Sequence, residues 1–196
     1  MKTILQKLLP FALLLLVALG CQQVQKGLKS VVEPKTIAAT DGSCEVTVPG
    51  LWSKSTDLND EAILQASYPL QEMYVMVFKE SRGDFADNFT IDDYAELVRK
   101  DAPTRIPDAQ FTPATSSTIN TLDAREFEMS GTAEKVKAKF IYAVVASKDN
   151  FYQIISWTLP SQYAANKDEL VSVLHSFKAT DAGAPNLNTN TKAGKK

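Results

Sequence analysis

The 196-residue chain has an ordinary globular composition, with 44% hydrophobic and 22% charged residues, which excludes disorder along its whole length. Its formal net charge of −2 conceals an acidic central region, because residues 40–178 carry 13 Lys and Arg against 21 Asp and Glu, a net charge of −8. That acidity, together with the lack of a basic stripe interleaved with aromatic residues, argues against nucleic acid as a partner.

The first twenty residues have the features of a secretory signal peptide. Lys2 and Lys7 provide positive charge, and residues 8–19 form an apolar run. A run of this length is too short to span a bilayer and is typical of the hydrophobic part of a signal peptide. Residues 1–20 are therefore predicted to direct export and to be removed.

The segment that ends at Cys21 resembles the bacterial lipobox, in which the cysteine becomes the acylated, palmitate-bearing N-terminus. The small residues Ala18 and Gly20 permit cleavage directly before Cys21. Lipid stabilises membrane attachment by about 0.8 kcal/mol for each buried CH₂, so the resemblance implies a membrane-anchored lipoprotein. Because Gln22 follows the cysteine where inner-membrane retention typically uses aspartate, the periplasmic face of the outer membrane is the expected location. Secretion with an unmodified Cys21 is the alternative.

Composition divides the exported chain into three parts. Residues 21–39 lack a strong apolar period and are predicted to be a lipid-anchored linker. Residues 40–179 form the predicted domain, and residues 180–196 form a polar, low-complexity tail that is predicted to be disordered. Only Cys44 remains as an internal thiol after processing, so no internal disulfide can form and stability must come from the core.

Three strands are predicted in the first part of the domain. The strand at 44–48 is stopped by Pro49 and Gly50, which form a strong turn signal. Two further apolar runs, at 62–68 and 73–78, are separated by a short connection and predict an antiparallel hairpin.

A helix follows these strands. Thr90 and Asp93 have the spacing of a capping box, and Pro103 marks the predicted end. Between them, apolar residues recur at helical spacing and define one buried face. The residues of this face are Ile91, Tyr94, Leu97, Val98 and Ala102.

The second part of the domain is predicted to contain four strands and a closing helix. The strands lie at 111–119, 124–129, 137–146 and 151–158, with turns near residues 120–123, Gly131 and 148–150. Pro160 and Ser161 open the helix, which carries an apolar stripe of Leu170, Val173, Leu174 and Phe177. The element order predicts an α+β fold with a single antiparallel sheet of about seven strands sandwiched by helices.

The element order, together with residues 48–52, 119–131, 151–157 and 170–177, resembles the PsbP-like superfamily over essentially the whole domain. The resemblance implies the PsbP-like α/β/α sandwich. It also implies a binding or assembly protein whose partner is a membrane-bound protein complex, since known members with assigned roles are not enzymes. One candidate complex is photosystem II, which would place the protein in the thylakoid lumen of a cyanobacterium.

No catalytic signature stands out in the sequence. His175 is the single histidine, and Gly-x-Ser-x-Gly, Gly-rich phosphate-loop and Cys-x-x-Cys motifs are missing. We therefore predict a non-enzymatic protein that needs no cofactor and has a protein-binding or complex-assembly role. An envelope lipoprotein that binds a small ligand or a divalent cation is the alternative.

Four aspartates are the candidate metal ligands of that alternative. Asp84 and Asp87 lie in the predicted loop before the first helix, and Asp92 and Asp93 lie in its first turn. Carboxylate oxygens are the ligands that hard cations prefer. A different interpretation is that Asp93 caps the helix, Asp92 interacts with the positive helix start and the other two solvate a loop.

Trp52 and Trp157 are the candidate binding residues, because aromatic side chains are enriched at ligand grooves and protein interfaces. On the last predicted strand, Phe151, Gln153, Ile155 and Trp157 share one face. The alternative interpretation is that these aromatic residues belong to the core, since both faces of that strand are expected to be covered by helices.

Overall fold

The computed structural model describes residues 33–180. The predicted signal peptide at 1–20, the predicted lipidation site Cys21, most of the predicted linker and nearly all of the predicted tail lie outside the described residues. Between residues 33 and 180, no helix is both long and apolar enough to cross a membrane.

Strands account for most of the regular structure in this part of the chain. They are β1 (Lys35–Ala38), β2 (Cys44–Val48), β3 (Ser53–Lys54), β4 (Leu64–Tyr68), β5 (Met73–Ser81), β6 (Gln110–Phe111), β7 (Thr115–Ile119), β8 (Leu122–Ala133), β9 (Val136–Ala146), β10 (Asn150–Thr158) and β11 (Lys178–Ala179). The helices are α1 (Ile91–Arg105) and α2 (Tyr163–His175), with short 3₁₀ turns at Pro69–Gln71 and Arg82–Asp84.

The central feature is an antiparallel sheet of eight strands. Its order is β3-β4-β5-β10-β9-β8-β6, and β7 also pairs with β8, on the edge that β6 shares. Strands β1, β2 and β11 form a separate three-stranded sheet. Helices α1 and α2 pack on opposite faces of the large sheet. The predicted α+β fold with an antiparallel sheet between helices is therefore confirmed, and the sheet is larger than the predicted seven strands.

Alternating side chains of the central strands supply both layers of the core. On β9, Ile141 and Val145 belong to the layer that contains α2, whereas Tyr142 and Val144 belong to the layer that contains α1. Successive residues of a strand point to opposite faces, so a strand that is apolar at nearly every position must be covered on both sides. Cys44, predicted to be a small buried side chain, is 1% exposed on β2.

Two of the differences from the predicted elements concern β1 and the strand predicted at 111–119. Strand β1 lies inside the predicted linker at 21–39, and its Ile37 is buried. Strands β6 and β7 replace the single strand predicted at 111–119, because Pro113 has no N–H to donate to the ladder. The described residues 33–35 and 49–51 belong to a separate small unit, in which Lys35 Nζ donates to the Gly50 carbonyl at 3.2 Å.

The turn predicted near Gly131 is wrong. Gly131 lies within β8, and the chain reverses at Glu134 and Lys135, which have φ values of 48° and 73°. Two consecutive left-handed residues are what a two-residue hairpin loop requires. Glycine is needed at 131 for a different reason, since an added Cβ would lie 2.4 Å from Ile106 Cγ2.

We expect Gly131→Ala to lower the free energy of unfolding by about 1–3 kcal/mol, because the new methyl group overpacks the contact with Ile106. Urea denaturation measures the change. Gly83→Ala is the control, since its Cβ would meet only Ser81 Oγ, at 3.4 Å. Adding Ile106→Ala to Gly131→Ala should cost less than the sum of the two single changes. An unchanged unfolding midpoint for Gly131→Ala would contradict the proposed overlap.

Candidate functional site

Helix α1 begins at a complete capping box, as the sequence predicts. Thr90 Oγ1 accepts a hydrogen bond from Asp93 N at 3.2 Å, and Asp93 Oδ2 accepts from Thr90 N at 2.8 Å. Hydrogen bonds from Thr90 lower the pKa of Asp93. The helix passes through Pro103, its predicted end, and continues to Arg105. Asp93 is therefore occupied as a capping residue.

Two polar contacts tie α1 to the sheet beneath it. Asp92 accepts hydrogen bonds from Arg125 Nε at 2.6 Å and Arg125 Nη2 at 2.9 Å, and this pairing lowers the pKa of Asp92. The buried Tyr94 donates to Glu80 Oε1 at 3.0 Å. Burial, aided by the Glu80 carboxylate, raises the pKa of Tyr94 far above its ordinary value. The start of α1 is thus fixed over β5 and β8.

The four candidate metal ligands do not form a common site. Asp92 and Asp93 have the partners just described, and Asp84 and Asp87 are exposed before the helix. Among residues 33–180, no group of three or more His, Cys, Asp or Glu side chains is arranged to hold a metal ion. Asp92 and Asp93 of α1 do share one feature, because each lines one of two surface depressions that are described below.

A row of aromatic rings crosses the sheet on its α1 face. Neighbouring rings have centroids 5.0–6.3 Å apart, within the range of favourable aromatic pairs. The row starts on β5, crosses β10, β9 and β8, and ends on the edge strand β6. Its members are, in order, Tyr74, Trp157, Phe140, Tyr142, Phe127 and Phe111.

Arg99 packs over the last two rings of this row at the sheet edge. Its guanidinium carbon lies 5.5 Å from the ring centroid of Phe111 and 5.7 Å from that of Phe127. Its Nη1 donates to Glu96 Oε1 at 2.6 Å, while its buried Nε has no hydrogen-bond partner among the described residues. Contact with two rings and a carboxylate restrains a side chain that is flexible elsewhere, so the guanidinium is presented in a set position.

Two adjoining depressions flank the Arg99–Phe111 contact. They have volumes of about 580 and 450 Å³ and are both open to solvent. We call them together the α1 groove. Glu96, Arg99 and Phe111 line both parts; the first part is completed by Phe89, Asp93, Leu97 and Lys100, and the second by Asp92, Ala95, Pro113 and Ala114.

Leu97 is the exposed apolar side chain of the groove. It was expected on the buried face of the helix, but the structure leaves it 42% exposed. The buried face instead consists of Ile91, Tyr94, Ala95 and Val98. Burying an exposed leucine against a partner is favourable, so Leu97 and the restrained Arg99 give the groove both an apolar and a charged contact point.

The two candidate tryptophans lie apart from the groove. Trp52 is fully buried in the layer that contains α2, and its Nε1 donates to Glu169 Oε1 at 2.7 Å. Trp157 lies on the opposite face of the sheet, where it is partly exposed and stacks on Tyr74 at 5.1 Å. His175 is exposed at the end of α2, with Nε2 2.9 Å from Glu126 Oε2.

Sequence reasoning missed Arg99, Phe111 and Leu97 as members of one site. The spacing of Glu96 and Arg99 indicates a helix-surface ion pair, which is the one local signal that was present. The contact between Arg99 and Phe111 joins two elements, and no periodicity within either element could have predicted it.

No family model matches the chain, and no curated protein matches it. Solved structures do resemble it. The solution structure of cyanobacterial PsbP (CyanoP) from Synechocystis sp. PCC 6803 aligns with a TM-score of 0.56 at 10% identity, over 76% of this chain and 94% of that one. LpqN of Mycobacterium tuberculosis, involved in cell envelope biogenesis, aligns with a TM-score of 0.53 at 10% identity, over 75% and 90%.

A third solved structure, from Bacteroides thetaiotaomicron, aligns with a TM-score of 0.52 at 10% identity, over 76% of this chain and half of that one. Identities this low bear on the fold and not on activity. The alignments to cyanobacterial PsbP and LpqN span nearly the full length of those two proteins. The described domain therefore has the PsbP-like fold.

Proposed function

We propose that this chain is a non-catalytic protein-binding module outside the cytoplasm, held on a membrane by lipid on Cys21, and that it binds a membrane-associated protein complex through the α1 groove. The observation that carries the proposal is the restrained Arg99, which packs over the rings of Phe111 and Phe127 and lines the groove together with the exposed Leu97. Arginine and aromatic side chains dominate the energetics of protein interfaces.

The geometry of the groove favours a protein partner over a small molecule. Sites for small ligands usually enclose most of the ligand surface, whereas both parts of the α1 groove are open to solvent. Carboxylates and cations both line it, with Asp92, Asp93 and Glu96 beside Arg99 and Lys100. Such a mixed rim around an apolar contact is typical of protein interfaces.

The likeness to two solved structures supports the proposed setting. One is a cyanobacterial PsbP and the other is involved in cell envelope biogenesis. Lipid on Cys21 would keep the acidic domain at the membrane surface without any apolar helix between residues 33 and 180. The complex bound there would be an envelope assembly or, in a cyanobacterium, photosystem II.

We expect Cys21→Ser to release the protein from membranes. Lipid supplies the attachment in this account, so the variant should move from the membrane fraction to the soluble fraction of cells that export it. Immunoblotting of fractionated cells measures the shift, and mass spectrometry of the wild-type N-terminal peptide tests for the acyl chains. Retention of Cys21→Ser on membranes, or an unmodified cysteine in the wild type, would refute the anchor.

We expect Leu97→Asp to weaken partner binding by about tenfold or more, since interface hot spots typically contribute over 1–2 kcal/mol. The measurement is a quantitative pull-down of tagged protein from native membranes in a gentle detergent, with partners identified by mass spectrometry. Leu70→Asp is the matched control, because Leu70 is 85% exposed in the Pro69–Gln71 turn and does not line the groove.

Recovery of the same stoichiometric complex by wild type and Leu70→Asp, and its loss with Leu97→Asp, is the expected pattern. Photosystem II subunits in that complex would identify a photosynthetic client, and envelope proteins would identify an assembly role. Equal recovery by all three proteins would rule out the α1 groove as the binding surface.

A further inference from the structure

Strand β7 lies at the sheet edge beside the α1 groove and lacks two of the usual protections against strand addition, short length and charge. Strand β7 consists of Thr115-Ser-Ser-Thr-Ile119, without a charged residue, and within residues 33–180 it pairs only with β8. The opposite edge strand, β3, has two residues and carries the exposed Lys54. Short strands and lysine side chains commonly block the addition of another strand at a sheet edge. Strand β3 has both of these features, and β7 has neither.

The hairpin between β7 and β8 determines which backbone groups of β7 face outward. Asn120 and Thr121 have φ values of 46° and 72° and form a two-residue turn between the paired residues Ile119 and Leu122. The residues that flank such a turn form a hydrogen-bonded pair, and hydrogen-bonded and non-hydrogen-bonded pairs alternate along the ladder. The backbone N–H and C=O groups of Ser116 and Thr118 therefore point away from β8.

This edge is continuous with the α1 groove. Pro113 and Ala114 directly precede β7 and line the second part of the groove. On the neighbouring strand β8, Arg125 is in register with Ser116 of β7. Its Nε donates a hydrogen bond to Asp92, which also lines the second part of the groove. A strand added at β7 would lie about 5 Å from it, with every second side chain directed to the α1 side of the sheet. The groove would receive those side chains.

We propose that an extended segment of the partner protein, neutral or basic in charge, binds by adding as a strand to β7 and placing alternate side chains in the α1 groove. This inference rests on the proposed function, since it specifies how the groove is used. Backbone pairing supplies affinity in such complexes, and the pockets for alternate side chains supply specificity. Charge favours this occupant over a second copy, because residues 40–178 of both copies would carry a net charge of −8.

The test removes the two outward N–H groups without touching those that pair with β8. Proline lacks the N–H and is tolerated on edge strands where that group faces solvent, so the edge variant is Ser116→Pro with Thr118→Pro. Ser116→Ala with Thr118→Ala is the matched control, which loses both hydroxyls and keeps both N–H groups. Circular dichroism and thermal unfolding verify that each variant folds.

The probe is a phage-displayed library of random decapeptides, selected on the detergent-solubilised full chain. Selected peptides should bind the wild type and the alanine control equally. They should bind the proline variant roughly tenfold or more weakly, as expected for two lost backbone hydrogen bonds, and should also lose affinity for Leu97→Asp. Amide hydrogen exchange of the wild type gives an independent measurement that does not depend on the proline variant, since bound peptide should slow exchange at Ser116 and Thr118.

The outcomes separate this inference from the proposed function. Peptides that lose affinity for Leu97→Asp but bind the proline variant normally, with no added protection at Ser116 and Thr118, would leave groove binding intact and overturn strand addition. Failure to select peptides, or peptides insensitive to both changes, would overturn strand addition and also count against the groove. A wild-type dimer that the proline variant cannot form would show that a second copy occupies the edge, contrary to the proposal.

Discussion

The apolar character of both faces of the central strands is the constraint on which the rest of the fold depends. Val144 and Val145 of β9 are buried on opposite sides, as are Ile155 and Ile154 of β10, so neither face can be left to solvent. Helix α2 and the β1-β2-β11 sheet contribute to one layer, and α1 contributes to the other. Helix α1 packs over β8 and β9, and the α1 groove lies where the helix meets Phe111 of the edge strand β6.

Much of this fold was predictable because its signals are local. The positions of the side chains along the last strands predict which residues share each face, and the spacing of Thr90 and Asp93 predicts where α1 begins. The predictions fail at positions whose surroundings are determined by residues distant in the sequence. Gly131 resembles a turn glycine, yet it is needed because Ile106 approaches it closely. Leu97 fits the helical period of the buried face, yet the position of α1 on the sheet leaves it exposed.

Some residues of the candidate site could be predicted from the sequence, and others could not. Asp92 and Asp93 were predicted as candidate metal ligands, and both line the groove, with their carboxylates hydrogen-bonded to Arg125 and Thr90 respectively. The contact of Arg99 with Phe111 depends on how α1 packs against the edge strand β6. The order of the strands in the sheet determines that packing, and the local sequence of either element does not. We propose a binding role for this site because it offers restrained arginine and aromatic contact groups.

The most direct test of this account is site-specific photo-cross-linking in native membranes. The photoreactive residue p-benzoylphenylalanine would replace Leu97 in the α1 groove in one protein and Leu70 in the Pro69–Gln71 turn in another. We expect a discrete adduct with one membrane-associated protein from position 97, and not from position 70. No adduct from position 97, or the same adducts from both positions, would contradict the proposal that this protein binds its partner through the α1 groove.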